Sequence, residues 1–232
     1  MFTDNQLKLM FTFIKTDEDL FKVKTILNKY SSKFSKSRLI MFIALLNVIS
    51  RNFTYLDTID EYNLTFSDLQ IKYPAIYKNS KSNLYLKDER NPRNVLSRIY
   101  AGKFGNMGFD TEDGYNFRPR GAIKIKGRTK YNIVGKSFKY TDTEMIKYLE
   151  TPLGALDVSL WLYVNDNYDK YENAIEILKY LGYNILLYEN INKNIETYTI
   201  SEKDTENKTV TENKSVIYNY TNKYTDKKKK KK

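Results

Sequence analysis

Arg118-Pro-Arg-Gly-Ala-Ile-Lys-Ile-Lys-Gly-Arg-Thr-Lys-Tyr131 is the stretch whose residue types most invite chemistry. Ile123 and Ile125 alternate with Lys124 and Lys126, and a period of two predicts a short strand with one buried and one basic face. On that reading Lys124, Lys126 and Arg128 share a face suited to an acidic partner or a solvated surface. The rest of the chemical inventory is narrow. The chain has no histidine and no cysteine. That removes imidazole acid–base work, Ser-His and Cys-His nucleophile pairs, disulfides, and thiolate or imidazole metal sites. Catalysis would fall to carboxylates, lysine, tyrosine or a carboxylate-held metal. Asp110, Glu112 and Asp113 are the candidate metal loop, but their spacing lacks a calcium-loop pattern, so no metal and no cofactor are expected.

The elements that must position these groups read as mainly helical. Leu7, Met10, Phe11 and Ile14, then Leu20, Val23, Ile26 and Leu27, recur at helical spacing over residues 5–30. Ser35 or Ser37 caps a following helix that is apolar almost all round, from Leu39 to Val48, and so belongs at the centre. Helical turns are expected at 64–71, after Pro74 and at 94–103. Gly102, Gly105, Gly108, Gly114 and Gly121 mark a loop-rich segment before the basic stretch. Residues 141–149 and 152–182 read as helical, with Thr151-Pro152 as a cap followed by proline in the first turn.

The 232-residue chain carries a formal charge of +11, of which six charges are the terminal Lys227–Lys232. Abundant Lys, Asn, Ile and Tyr fit an AT-rich coding sequence, which accounts for part of that charge without a function. From residue 189 the composition turns polar, with the imperfect repeat Thr205-Glu-Asn-Lys-Thr-Val and Thr211-Glu-Asn-Lys-Ser-Val. Residues 189–232 are therefore expected to be a low-complexity basic tail, mobile or ordered by a partner, with weak polyanion contact through Lys227–Lys232. Asn207-Lys-Thr and Asn213-Lys-Ser match the glycosylation triplet by chance. The opening residues carry Asp4, Lys8 and Lys15 within any apolar run, so no signal peptide is expected. No apolar run approaches the ~18 residues of a membrane span. The expected location is the host cytoplasm, with incorporation into a virion or similar particle as the alternative.

One constellation is specific. Tyr100-Ala-Gly-Lys-Phe-Gly-Asn106, Asp113-Gly-Tyr-Asn-Phe and the Arg118–Tyr131 stretch resemble the signature of glycoside hydrolase family 19, roughly Y-A-N-R-M-G-N, then G-D-G-W-R-Y-R-G-R-G-L-I-Q-L-T-G-R-x-N-Y. Leu153-Gly-Ala-Leu-Asp-Val-Ser-Leu-Trp161 is similar to that family's later P-E-x-A-x-x-S-A-x-W helix. Phe42 to Phe53 stands where the family has F-L-A-Q-x-x-H-E-S-G-G-F, and Glu61 to Ser67 resembles E-E-N-L-N-Y-S. The resemblance is strongest over 25–180, within a domain of residues 1–188. It implies a mainly α (α+β), lysozyme-like helical domain with a small β element beside a cleft, of the chitinase and phage endolysin kind.

The family cleaves β-1,4-linked N-acetylglucosamine polymers or peptidoglycan with inversion. One carboxylic acid protonates the leaving oxygen and a second carboxylate activates water. The resemblance places the general acid at Ile49, which can neither give nor take a proton. Glu61 falls at the second carboxylate, and a one-residue shift would put Tyr62 there. Lys124, Lys126 and Lys130 replace polar residues that contact sugar or hold water in the family. Lys124, Lys126, Lys130, Arg118, Arg120, Tyr100 and Asn106 are the expected substrate-binding positions, the arginines being ion-pair or cleft residues.

A fold kept while its chemistry is replaced implies a catalytically impaired domain. Its expected partner is a cell-wall glycan or another particle protein, and its expected place a phage or phage-like particle. Two rivals remain. One is a diverged but active peptidoglycan or chitin hydrolase with a relocated acid at Asp57, Asp60 or Glu61. The other is a nucleic-acid-associated protein using the basic stretch and tail.

Overall fold

Threonine, serine and asparagine side chains start most of the helices. Thr3, Thr16, Ser35, Thr65, Asn91, Thr141, Thr151 and Asn173 each accept a hydrogen bond from a backbone amide of the first turn, a contribution of about 1 kcal/mol apiece. The computed structural model describes the backbone of residues 2–78 and 86–207, with side chains as far as 199. Its helices are α1 (Asp4–Met10), α2 (Asp17–Tyr30), α3 (Lys36–Ile49), α4 (Phe66–Lys72), α5 (Pro74–Tyr77), α6 (Pro92–Ile99), α7 (Asp113–Asn116), α8 (Arg128–Phe138), α9 (Asp142–Leu149), α10 (Pro152–Asn165), α11 (Ala174–Leu181) and α12 (Tyr188–Asn207). The expectation of a mainly helical, lysozyme-like fold stands.

The two helices without a polar stripe are the centre. Phe42 to Leu46 of α3 are fully buried, as are Ala155, Leu156, Leu160 and Tyr163 of α10. Phe42 meets the Tyr163 ring at 4.6 Å between centroids. Asp157 of α10 is buried but satisfied: it accepts from Tyr30 (2.7 Å), Tyr148 (3.0 Å) and Lys29 (3.1 Å), tying α2 and α9 to the central helix. A second, smaller cluster gathers Leu64, Leu69, Tyr77, Val95, Leu96 and Ile99 around α4 to α6. Gly114 lets α7 lie on α6, since a Cβ there would sit 2.2 Å from the Leu96 carbonyl oxygen.

Three sequence expectations are corrected. The basic stretch is not a strand. Arg120 makes isolated antiparallel bridges to Asp57 and Ile125, and residues 121–124 turn. The chain doubles back through Gly121 (φ +77) and Lys124 (φ +60), so Ile123 and Ile125 are both buried. Arg128 already belongs to α8, so the three cations share no face. Among the described residues, the β element of the fold reduces to this bridged loop.

The helix expected over 152–182 stops at Asn165. Asn167 takes a left-handed conformation (φ +57), and Asn173 caps α11 afresh. The boundary expected at 189 falls inside α12. Ile191 and Tyr198 of that helix are buried, and Asn47 of α3 donates to the Tyr198 hydroxyl at 2.7 Å. The apolar spacing Ile191, Ile195, Tyr198 was too sparse among polar residues to stand out. Residues 208–232, with the hexalysine and most of the repeat, lie outside the described residues.

Candidate functional site

The site begins where α3 ends. Ser50 closes the helix, donating its hydroxyl to the Leu46 carbonyl (2.6 Å) and accepting from the Phe53 amide (2.9 Å). Arg51, Asn52 and Phe53 then all take left-handed backbone, with φ of 51°, 56° and 61°. Non-glycine residues pay about 1–2 kcal/mol each for that conformation, so the turn holds strain. Phe53 anchors it against Phe11 and Phe13, with centroids 6.1 and 5.3 Å away. Arg51 and Asn52 occupy the two positions that are glycines in the pattern H-E-S-G-G-F, and glycine is the residue that adopts this backbone freely. The turn brings Tyr55 and the segment carrying Asp57, Asp60 and Glu61 back beside α3.

A cleft of about 740 Å³ opens there. Ile49, Ile123 and Ile125 supply apolar lining, while Glu61, Lys124, Lys126 and Lys130 also line it. The structure therefore brings together five of the positions expected from sequence. Asp166 also faces the cleft, and its two oxygens accept from the Lys130 ammonium at 2.6 and 2.5 Å. Aromatic rings complete the lining, among them Tyr55, Phe104, Tyr180 and Tyr183. Phe104 and Tyr180 are about half exposed. Burial, with Glu61 nearby, raises the Tyr183 hydroxyl to about 12.

Four expected positions are not among the residues that line this cleft. Arg118 and Arg120 lie behind the loop, 6% and 3% exposed. Arg118 forms a two-pronged pair with Asp57, and Arg120 donates to Glu150 (2.7 Å) and to the Asn116 carbonyl (2.6 Å). Burial alone would raise the Asp57 carboxyl, but the hydrogen bonds and charges of Arg118 and Arg120 hold it below the usual carboxylate range. Asn106 donates to the Tyr100 carbonyl (3.1 Å) and accepts from the Arg128 amide (2.9 Å), which fixes the start of α8. Tyr100 meets the Tyr62 hydroxyl at 3.1 Å. Asp113 is likewise committed, to Arg128 (2.8 Å) and the Met107 amide (2.9 Å). Gly127 permits the close pass of the loop, because a Cβ there would lie 2.2 Å from Phe104 Cβ.

Lys124 is the unusual group. Its left-handed backbone carries the side chain toward Tyr55, where Nζ donates to the Tyr55 carbonyl (2.5 Å) and lies 4.1 Å from the ring centroid. Arg51 covers the same ring at 4.7 Å. Burial pushes the Lys124 amine down to about 8, against the opposing pull of Asp57 and Glu61 and with Arg51 adding to the fall. Lys126 sits 4.9 Å from the Phe104 ring centroid. Among the described residues neither Lys124 nor Lys126 has a carboxylate within ion-pair distance, whereas Lys130 does.

Sequence reasoning missed Asp166, Tyr180 and Tyr183. The first follows the end of α10 and the others flank the end of α11, within or beside the span read as one unbroken helix.

No family model matches the chain. A 45-residue stretch is 42% identical to part of a glycosyl hydrolase family 19 domain-containing protein of Haemophilus influenzae, covering 19% of this chain and 22% of that protein. The chain thus aligns with less than a quarter of that relative's length. Over this stretch the likeness suggests a glycoside hydrolase-like domain.

Proposed function

We propose that this chain is a catalytically impaired, family 19-like domain that binds a cell-wall glycan through the cleft, as a structural or wall-binding component of a phage or phage-like particle. The observation that carries the reading is Ile49. It closes α3 at the cleft and is 5% exposed, at the place where the resembling pattern has its proton donor. The left-handed turn at Arg51 and Asn52 supports that register, because the paired glycines of the pattern fall on backbone that glycine favours. The glycosyl hydrolase family 19 likeness supports the substrate class. The half-exposed rings of Phe104 and Tyr180 suit the apolar faces of sugars.

Inverting hydrolysis needs an acid and a base on opposite faces of the bond. Of the cleft carboxylates, Asp166 is taken by Lys130, which leaves Glu61 to act alone. Asp57, a candidate relocated acid, is held ionised by two arginines and has no proton to give. Loss of one general acid or base removes about 10²–10⁴-fold in rate.

Purified protein is therefore expected to co-sediment with insoluble peptidoglycan or chitin yet release no reducing ends from either. Glu61→Gln should leave that blank result unchanged, and Ile49→Glu should raise hydrolysis above background by supplying the acid. Glu61 on the cleft favours one rival, a diverged but active hydrolase. Lysis by the wild-type chain that Glu61→Gln abolishes would establish it and overturn the proposal.

A further inference from the structure

We infer that the cleft selects carbohydrate chains bearing anionic substituents, carboxylate or phosphate, over neutral ones, and that Lys124 is the cation that meets the anionic group, with Lys126 lining the same cleft. The inference rests on the reading of the cleft as a glycan site and specifies its ligand.

Lys124 stands apart by its charge, which no carboxylate balances among the described residues. A lysine drawn into a protein wall loses hydration, and natural proteins compensate with a carboxylate partner. The other buried or half-buried cations of this region follow that rule: Arg118 takes Asp57, Arg120 takes Glu150, Arg128 takes Asp113 and Lys130 takes Asp166. Lys124 does not. It has one carbonyl and one ring face, and its ammonium keeps donors free at the cleft. The groups facing it are Arg51 and Tyr55 from the turn after α3, and Asp57 and Glu61 from the segment beyond. Asp57 is already spent on the arginines. Lys126 adds a second cation at the same cleft, held over the half-exposed Phe104 ring. Since Lys130 and Asp166 neutralise each other, the remaining cleft charges are Lys124 and Lys126 against Glu61. An occupant that brings a negative group supplies the missing partner, and a charge-assisted hydrogen bond to it is stronger than one to a neutral hydroxyl.

Calorimetric titration of the full chain in 150 mM salt tests this with three probes: the neutral N-acetylglucosamine hexamer, a hexasaccharide alternating N-acetylglucosamine with glucuronic acid, and a 6-O-phosphorylated N-acetylglucosamine hexamer. At pH 7 at least one acidic probe should bind about tenfold or more tightly than the neutral one, and the stronger of the two names the anionic group. The preference should shrink as pH rises from 7 to 9, where Lys124 loses its proton. Lys124→Gln should bring the acidic affinity down to that of the neutral hexamer. Lys124→Arg, which stays charged, should keep the preference and lose the pH dependence. Equal affinity for all three probes overturns the inference and leaves the glycan reading standing. So does a preference that persists in Lys124→Gln, which would place the anion site elsewhere. Binding of none of the three overturns the glycan reading itself.

Discussion

The two sides of the loop at residues 118–126 carry similar charge and treat it in opposite ways. Behind the loop, Arg118 and Arg120 are almost wholly buried, and their charges close on Asp57 and Glu150. In front, Lys124 and Lys126 face the cleft with no carboxylate partner among the described residues. The back is built for stability: its polar atoms are paired and its arginines also hold the carbonyl of Asn116 and the hydroxyl of Tyr131. The front gives stability up. A few residues of one loop thus separate a paired structural network from a cleft wall whose Lys124 and Lys126 have no carboxylate partner among the described residues.

The back of the loop should respond most to substitution. Arg120→Ala should lower the unfolding free energy by about 2–4 kcal/mol, since it empties a buried site and leaves the Asn116 carbonyl and the Tyr131 hydroxyl without their donor. Urea unfolding would read it, and a loss under about 1 kcal/mol would mean that the back of the loop is no more committed than the front. Two paired carboxylates set an acid limit. Asp57 and Asp113 are both held below the ordinary carboxylate value, Asp113 chiefly by its hydrogen bonds with Arg128. Their contribution is present above about pH 4 and is lost as pH falls below it.

Lys124→Met should act with the opposite sign. Removing a half-buried charge without a carboxylate partner should stabilise the free protein by about 1–3 kcal/mol at pH 7. The folded-state value is near 8 and the ordinary lysine value is 10.5, so the penalty is complete below pH 8 and is relieved between pH 8 and 10.5. The mutant's advantage should therefore fade over that window in paired thermal melts. Lys130→Gln sharpens the contrast within the front itself. It breaks a partly exposed pair with Asp166 and should cost about 0.5–1 kcal/mol. Lys126→Gln, at an exposed position, should change stability by less than about 0.5 kcal/mol.

What the sequence made legible followed from residue chemistry that acts locally. Caps, the apolar runs of α3 and α10, and the glycines of the loop each announce themselves within a few residues. The cleft positions Ile49, Glu61, Lys124, Lys126 and Lys130 came from a resemblance in which each had a place. The strand did not survive, because two isoleucines and two lysines fit a turn as well as a pleat, and the flanking glycines favour the turn. Asp166 was hidden for another reason. Its pairing with Lys130 spans thirty-six residues of chain, and only the break of the helix at Asn165 swings it to the cleft. The buried face of α12 depends on Asn47 and Met10, far away in sequence, and on a hydrogen bond no periodicity reveals.

The left-handed turn at Arg51 to Phe53 should also open more readily than the helix it follows. Strain stored in three successive residues lowers the free energy of opening there relative to the packed centre of α3. The amides of Asn52 and Tyr55, bonded to the Asn47 and Ser50 carbonyls, should exchange with solvent deuterium well before those of Phe42 to Leu46. Because Tyr55 also holds Lys124, each opening of the turn releases that lysine from its carbonyl. One lip of the cleft should thus open more often than the helices that carry it.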